Sequence, residues 1–398
     1  MIRFTELLHG EGTVAKIMKH RGKDPSAIPS RYLAFSEQKR PLIFWNLTNR
    51  CNLSCSQCYI SAGGQQLNNE LSSNDSRKLV NEAAACRTPL LMLSGGEPLV
   101  RPDFWDILQH ARSKDLRVAV SSNGILITKS VALRLKEEQV DYVGISLDGA
   151  NSSTHDNLRG QKGSFESSIR ALKNCAESGI KCGVRLTATK DNFKEIPELL
   201  SLTKSLGIPR FCLYWLVPSG RGKNLYQNRR LDKDDIAWVL DRLYQSAMTF
   251  DPETIEILSV DAPQDGIYIL NRLRKELPGR YEKAHEILEL VGDSCSAGDR
   301  ILNIDPQGNI YPCQFAQLQE LRVGNLKDRP IDELWNDPAN PVLFDLRSKV
   351  DRLKGKCGKC VHKRICSGGC RIRAYFESGD LWAEDPHCIS FEEESSAR

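Results

Sequence analysis

Apolar residues along this chain fall into short continuous runs separated by stretches with helical spacing. The runs are Leu42–Leu47, Leu90–Leu93, Arg117–Ser122, Tyr142–Asp148, Cys182–Thr189 and Phe211–Val217. Hydrophobicity that runs on rather than alternating predicts strands covered on both faces, as in a parallel sheet. Between the runs, Leu71-Ser72-Ser73-Asn74-Asp75 reads as a helix start, followed by Leu79, Val80, Ala83 and Ala84 at helical spacing. Further helices are predicted over 104–111, 131–138, 165–178 and 196–206. Six such strand–helix repeats predict an α/β fold with helices packed over the sheet. Residues from about 225 to 290 read as a charge-rich helical bridge, and residues 391–398 as a frayed tail.

Composition narrows the class. A chain of 398 residues, 40% hydrophobic and 27% charged, predicts a soluble protein of two or three domains. The net charge of +4 is too small to argue for nucleic acid. No apolar run approaches the roughly 18 residues that span a membrane. The N-terminus has no secretory pattern, so a cytoplasmic location is expected. Fourteen Cys in such a protein favour metal ligation over disulfides and predict oxygen sensitivity.

The cysteines then decide the chemistry. Cys51, Cys55 and Cys58 follow the first predicted strand as a Cys-x3-Cys-x2-Cys triplet. Three thiolates on one loop can hold three irons of a [4Fe–4S] cluster and leave the fourth open to a ligand. A zinc site or a set of core thiols is the alternative, but structural zinc takes four N/S ligands, and this loop offers three Cys and no nearby His. The second predicted strand ends in Ser94-Gly95-Gly96-Glu97-Pro98, whose glycines let backbone approach a ligand closely.

The two motifs in this order resemble the radical S-adenosylmethionine (SAM) superfamily. The resemblance implies a six-stranded partial (β/α) TIM-type barrel followed by a cysteine-rich SPASM domain. It implies a [4Fe–4S] cluster whose open iron chelates SAM, with Gly95, Gly96, Glu97 and Pro98 at the SAM amino group. Functional residues of such barrels gather at strand C-termini. The resemblance implies Ser146 and Asp148 at the SAM carboxylate or ribose, with Ser122 and Asn123 close by and Tyr59 near adenine; Arg185, a positive charge inside the barrel that needs an anionic partner, is a further expected cofactor contact. His155 and His362 read as surface or structural residues, and Cys86, Cys175, Cys182 and Cys212 as core.

The C-terminal cysteines, Gly308-x4-Cys313 and Cys357-x2-Cys360-x5-Cys366-x3-Cys370 with Cys295 and Cys388, resemble the SPASM pattern of auxiliary clusters. Carried over, Cys357, Cys360, Cys366 and Cys388 would ligate one auxiliary [4Fe–4S] cluster. Cys295, Cys313 and Cys370 would hold three irons of another. The expected layout is an N-terminal extension (1–37), the barrel (38–225), the helical bridge (226–290), the SPASM region (291–390) and the tail.

Among SPASM proteins, the sulfatase maturases place an Asp base after the Gly-x4-Cys cysteine. Gln314 stands there instead and cannot accept a proton at useful pH. The rest of the chain resembles the 12,18-didecarboxysiroheme deacetylases of the alternative heme route and their relatives in heme d1 synthesis. The segments concerned are Ser30–Ser36, Ser94–Arg101, Val143–Gly149, Tyr214–Gly222, Ser259–Gly266 and Gln314-Phe315. That resemblance implies a tetrapyrrole substrate with several carboxylates, an electron donor such as ferredoxin or flavodoxin, and no nucleic-acid or membrane partner. Arg221 and Lys223, with Arg229 and Arg230, are the candidate carboxylate contacts. The chain departs from those enzymes at Trp215 and Pro263-Gln264, where they commonly have His, and at Cys313 and Cys370, where many have Asp and no Cys. Competing readings are a SPASM enzyme acting on a ribosomal peptide and a zinc-stabilised binding protein.

Overall fold

The computed structural model describes residues 1–10, 39–65, 67–291 and 295–389. The Ser30–Ser36 segment, most of the N-terminal extension and the expected tail lie outside the described residues. One mixed sheet of eleven strands organises the fold. Its middle contains the six predicted strands in sequence order: β2 (Leu42–Asn46), β3 (Leu91–Ser94), β4 (Val118–Ser122), β5 (Tyr142–Ser146), β6 (Cys182–Ala188) and β7 (Arg210–Trp215). All five junctions between them are parallel. Every residue of β3 is buried, as continuous hydrophobicity predicts for a strand covered on both faces.

The sheet does not stop at six strands. β8 (Glu256–Val260) adds in parallel beyond β7, inside the segment expected to bridge as helix alone. β1 (Ile2–Arg3) then pairs antiparallel with β8. On the other side β9 (Ile301–Ile304) runs parallel to β2, and β10 (Asn309–Tyr311) and β11 (Gly324–Asn325) finish the edge antiparallel. The C-terminal cysteine-rich region is thus stitched into the barrel sheet through β9. Short strands such as β1 and β11 carry too few residues for a periodicity to register.

Helix starts are written locally. Ser72 and Asp75 form a reciprocal capping box at the helix Ser73–Ala85, and Asp232 and Asp235 do the same at Lys233–Thr249. Cys86, Cys175 and Cys182 are fully buried in the main apolar core, and Cys212 is buried nearby. Among the described residues no helix is long and apolar enough to cross a membrane.

Two buried cations hold the site's surroundings. Arg101 donates to the carbonyls of Leu47 (2.6 Å) and Leu71 (2.9 Å), to Ser76 Oγ (2.7 Å) and to Asp103 (2.6 Å). It thereby ties the turn after β3 to the exit of β2. Arg373 pairs with Asp385 at 2.9 Å, both buried, and donates to the Asp261 carbonyl, linking the C-terminal helix Arg371–Ser378 to the end of β8. Arg101→Met leaves three buried acceptors unpaired. We expect it to cost about 3 kcal/mol or more, read as a lower urea midpoint of the iron-free protein; an unchanged midpoint would show that Arg101 does not hold this seam.

Candidate active site

The loop after β2 and the turn after β3 meet backbone to backbone. Leu47 N–H donates to the Ser94 carbonyl (2.9 Å), Gly96 N–H to that of Thr48 (2.7 Å) and Glu97 N–H to that of Arg50 (3.0 Å). No side chain fits between them. A Cβ on Gly96 would lie 2.2 Å from the Arg50 oxygen, and one on Gly95, which sits at φ +130°, 2.7 Å from the Thr48 oxygen. Glycine is required at both positions by this close approach. The loop then closes through Cys51 N–H to the Gly63 carbonyl at 2.6 Å.

Cys51, Cys55 and Cys58 open on one cleft at the C-terminal ends of the strands, of about 1150 Å³ counted to its mouth. Each sulfur faces a donor: Leu53 N–H on Cys51 (3.4 Å), Arg159 on Cys55 (3.6 Å) and Ala62 N–H on Cys58 (3.3 Å). Burial pushes the Cys51 thiol up to about 12 and raises that of Cys55, so ligation must displace protons. Donors aimed at sulfur suit thiolates that carry cluster charge. The three thiols on the wall of a roomy cleft fit a multi-iron cluster with space beside it.

Gly95, Gly96, Tyr59, Ser146, Arg185, Ser122 and Asn123 line the same cleft. Tyr59 donates to Asn46 Oδ1 at 2.7 Å, and burial raises its hydroxyl to about 12. Arg185 donates to Ser121 Oγ at 2.6 Å, and among the described residues no carboxylate pairs with it. Its guanidinium lies where a Gly144 side chain would be, since a Cβ there would come 2.0 Å from Arg185 Nε. The glycine inside β5 is the sequence signal for that slot.

Glu97, Pro98 and Asp148 do not line the cleft. Glu97 is buried and accepts from Ser122 Oγ (2.9 Å), Asn123 N–H (2.8 Å) and Leu99 N–H (3.3 Å). Burial holds its carboxyl up at about 7. Pro98 opens the short helix that follows. Asp148 is buried and spends its oxygens on Gln57 (2.6 Å), Thr187 N–H (2.7 Å) and the Arg159 guanidinium. It orients groups that do line the cleft. Sequence reading missed Gln57 and Arg159, which only tertiary packing brings to the cluster loop. His155 is buried and accepts from the Asp148 N–H at 3.0 Å.

Arg221, expected at substrate, lines this cleft and also donates to the carbonyls of Cys55 (2.8 Å) and Ala62 (2.7 Å), clamping the cluster loop. Arg229 and Arg230 pair with Asp191 (3.5 Å) and Glu377 (2.6 Å). Lys223 is exposed in a neighbouring cleft of about 1020 Å³ that holds Tyr375 and Phe376 and shares Tyr59 and Phe315 with the first. The rings of Tyr59 and Phe315 meet edge to face at 5.7 Å. Trp215 also lines the first cleft. Its indole donates to Asp265 at 2.7 Å and packs on the His387 ring at 4.4 Å, so a histidine from the C-terminal region backs a position where the resembled enzymes have one in the strand.

Six of the seven C-terminal thiols fall into two groups. Cys313 is buried in a small apolar cluster to which Cys295 and Cys370 also belong. Burial and these two neighbours raise the Cys313 thiol well above its ordinary range. Cys366 is raised by burial and by Cys388 and Cys357. The first group adjoins the active cleft, because Gln314 and Phe315, which follow Cys313, line it.

The chain matches the radical SAM superfamily over residues 45–203 and an iron–sulfur cluster-binding domain, SPASM, over 295–361. It is 35% identical to the Fe-coproporphyrin III synthase of Methanosarcina barkeri over 99% of this chain and 98% of that protein. It is 37% identical to the pre-heme d1 synthase of Dinoroseobacter shibae, covering 88% and 86%. The mycofactocin maturase MftC of Mycobacterium tuberculosis is 32% identical, covering 87% and 82%. In fold it is similar to Streptococcus suis SuiB bound to S-adenosylmethionine, with a TM-score of 0.69 at 20% identity, covering 88% of this chain and 77% of that one. Motifs, cleft and end-to-end similarity agree: the chain belongs to the radical SAM superfamily, in the group that joins a radical SAM domain to a SPASM domain and includes Fe-coproporphyrin III synthase.

Proposed function

We infer that this radical SAM enzyme removes acetate side chains from a siroheme-derived tetrapyrrole, converting 12,18-didecarboxysiroheme to iron-coproporphyrin III in heme biosynthesis. The observation that carries the chemistry is the meeting, on one cleft, of three thiols, a glycine pair and an arginine that no carboxylate neutralises among the described residues. The substrate rests on the near full-length similarity to Fe-coproporphyrin III synthase. A tetrapyrrole with several carboxylates also suits the second cleft, with its aromatic rings and Lys223.

Cys51, Cys55 and Cys58 hold the SAM-binding cluster in this reading. When bound, that cluster supplies the electron that cleaves SAM to methionine and a 5′-deoxyadenosyl radical, which takes hydrogen from an acetate side chain. Gly95 and Gly96 present backbone to the SAM amino group. Arg185, helped by Ser146, takes the SAM carboxylate, which offsets the cost of desolvating its charge. Glu97 and Asp148 act by bracing: one fixes the Ser122–Asn123 turn, the other fixes Gln57 and Arg159. Cys295, Cys313 and Cys370 hold one auxiliary cluster, and Cys357, Cys360, Cys366 and Cys388 the other.

Three measurements test this. Anaerobic reaction of the reconstituted protein with SAM, dithionite and 12,18-didecarboxysiroheme is expected to yield iron-coproporphyrin III and 5′-deoxyadenosine by mass spectrometry. SAM cleavage with the tetrapyrrole unchanged would move the substrate to a peptide, the class the similarity to a mycofactocin maturase favours. Iron analysis should give about twelve irons per chain, with about four lost in each of Cys51→Ala/Cys55→Ala/Cys58→Ala, Cys313→Ala/Cys370→Ala and Cys357→Ala/Cys366→Ala; equal loss from all clusters in any one set would break the assignment. Stability of the iron-free protein carries a Glu97 contribution. A native carboxyl raised from 4.5 to about 7 stabilises fully below 4.5 and loses that contribution as pH rises through 7. Relative to Glu97→Gln, the wild type should therefore lose about 3 kcal/mol across that window, measured by urea unfolding.

A further inference from the structure

Between Arg352 and Arg364 the chain carries six Lys or Arg and no Asp or Glu. Cys357 and Cys360 lie in the middle of this run. Lys354, Lys356, Lys359 and Arg364 are exposed around them. Val361, which adjoins Cys360, is 79% exposed, more than any other large hydrophobic side chain among the described residues.

Some of the positive charge is spent locally. Arg352 pairs with Asp345 at 2.5 Å, Lys354 with Asp380 at 2.6 Å, and Lys363 donates to the Gly358 carbonyl at 3.1 Å. Lys359 and Arg364 pair with no carboxylate among the described residues. They flank Val361 in sequence, leaving an apolar residue between two unneutralised cations. An apolar centre with a charged rim is the layout of a protein interface rather than of an evenly solvated face. Like charge concentrated on one loop selects an acidic partner and speeds its encounter. The thiol next to Val361 narrows the partner further: a protein seated here comes within one residue of Cys360. Small redox encounters use interfaces at the low end of the protein–protein size range.

We propose that the Arg352–Arg364 face is the docking site of a small acidic one-electron carrier protein. The carrier would give up one electron to the iron–sulfur centre that Cys357, Cys360, Cys366 and Cys388 would hold. The proposal rests on assigning those four thiols to such a centre and is independent of the tetrapyrrole substrate.

The test uses the reconstituted full-length protein and an acidic flavodoxin as probe. Binding is measured by calorimetry at low and high salt, and SAM cleavage is driven in parallel by reduced flavodoxin and by dithionite. Lys359→Glu/Arg364→Glu should raise the Kd about tenfold or more at low salt and flatten the salt dependence. Flavodoxin-driven cleavage should fall in step, while dithionite-driven cleavage stays within about twofold. The milder Lys359→Gln/Arg364→Gln pair should fall between the two. Unchanged Kd and salt dependence in both variants would overturn the proposal. So would tighter binding of a short DNA duplex or of anionic vesicles, lost with the same charge reversal. Absence of dithionite-driven cleavage in the wild type would instead strike the enzymatic reading, and the calorimetry would still report on the docking face.

Discussion

The seam where the cluster loop lies against the Ser94–Glu97 turn, main chain to main chain, is the constraint on which the rest depends. Three backbone hydrogen bonds cross it, and two glycines are the condition for their forming. Because the contact excludes side chains, the position of Cys51 is fixed relative to β3 as well as to β2. Arg101 secures the seam from behind through the Leu47 carbonyl, and Arg221 secures the loop from the β7 side through the carbonyls of Cys55 and Ala62. A flexible loop carrying three thiols would pay a large ordering cost on binding a cluster. Here that ordering is built into the fold.

Much of this was legible in the chain. Continuous apolar runs located the six central strands, since burial on both faces leaves no alternation to read. The Cys triplet and the glycine pair located the cleft, because their spacing follows from chemistry. What stayed hidden depends on distance in sequence. β8 sits in a charge-rich stretch and is recruited by pairing with β7, and β1 is two residues long and is recruited by β8. Asp148 and Glu97 stand at strand ends where ligand contacts were expected. Each instead turns inward, because a buried carboxylate is held where donors are close, and Gln57, Arg159, Ser122 and Asn123 supply them. Arg221 looked like a free cation on a basic loop, and nothing nearby in sequence announces the carbonyls that occupy it.

Burial and thiol chemistry work together through the chain. Burial disfavours the anion at Cys51 and Cys55 facing the cleft and at Cys313, Cys357, Cys366 and Cys370 in the C-terminal region, which favours the protonated thiol in metal-free protein. Cluster insertion then trades protons for iron on a loop already in place. The four remaining cysteines share the burial without gathering in threes: Cys175 has only Cys182 beside it, and both lie in the main apolar core.

The edge-to-face contact of Tyr59 with Phe315 separates the two clefts. Tyr59 directly follows Cys58, and Phe315 lies two residues after Cys313. Each half of the partition is therefore carried by a different cysteine loop, one from the barrel and one from the C-terminal region. A wall assembled in this way answers to both loops at once. The passage between the two rooms is thus set jointly by the barrel and the C-terminal region, and a change at either cysteine loop is felt in both chambers.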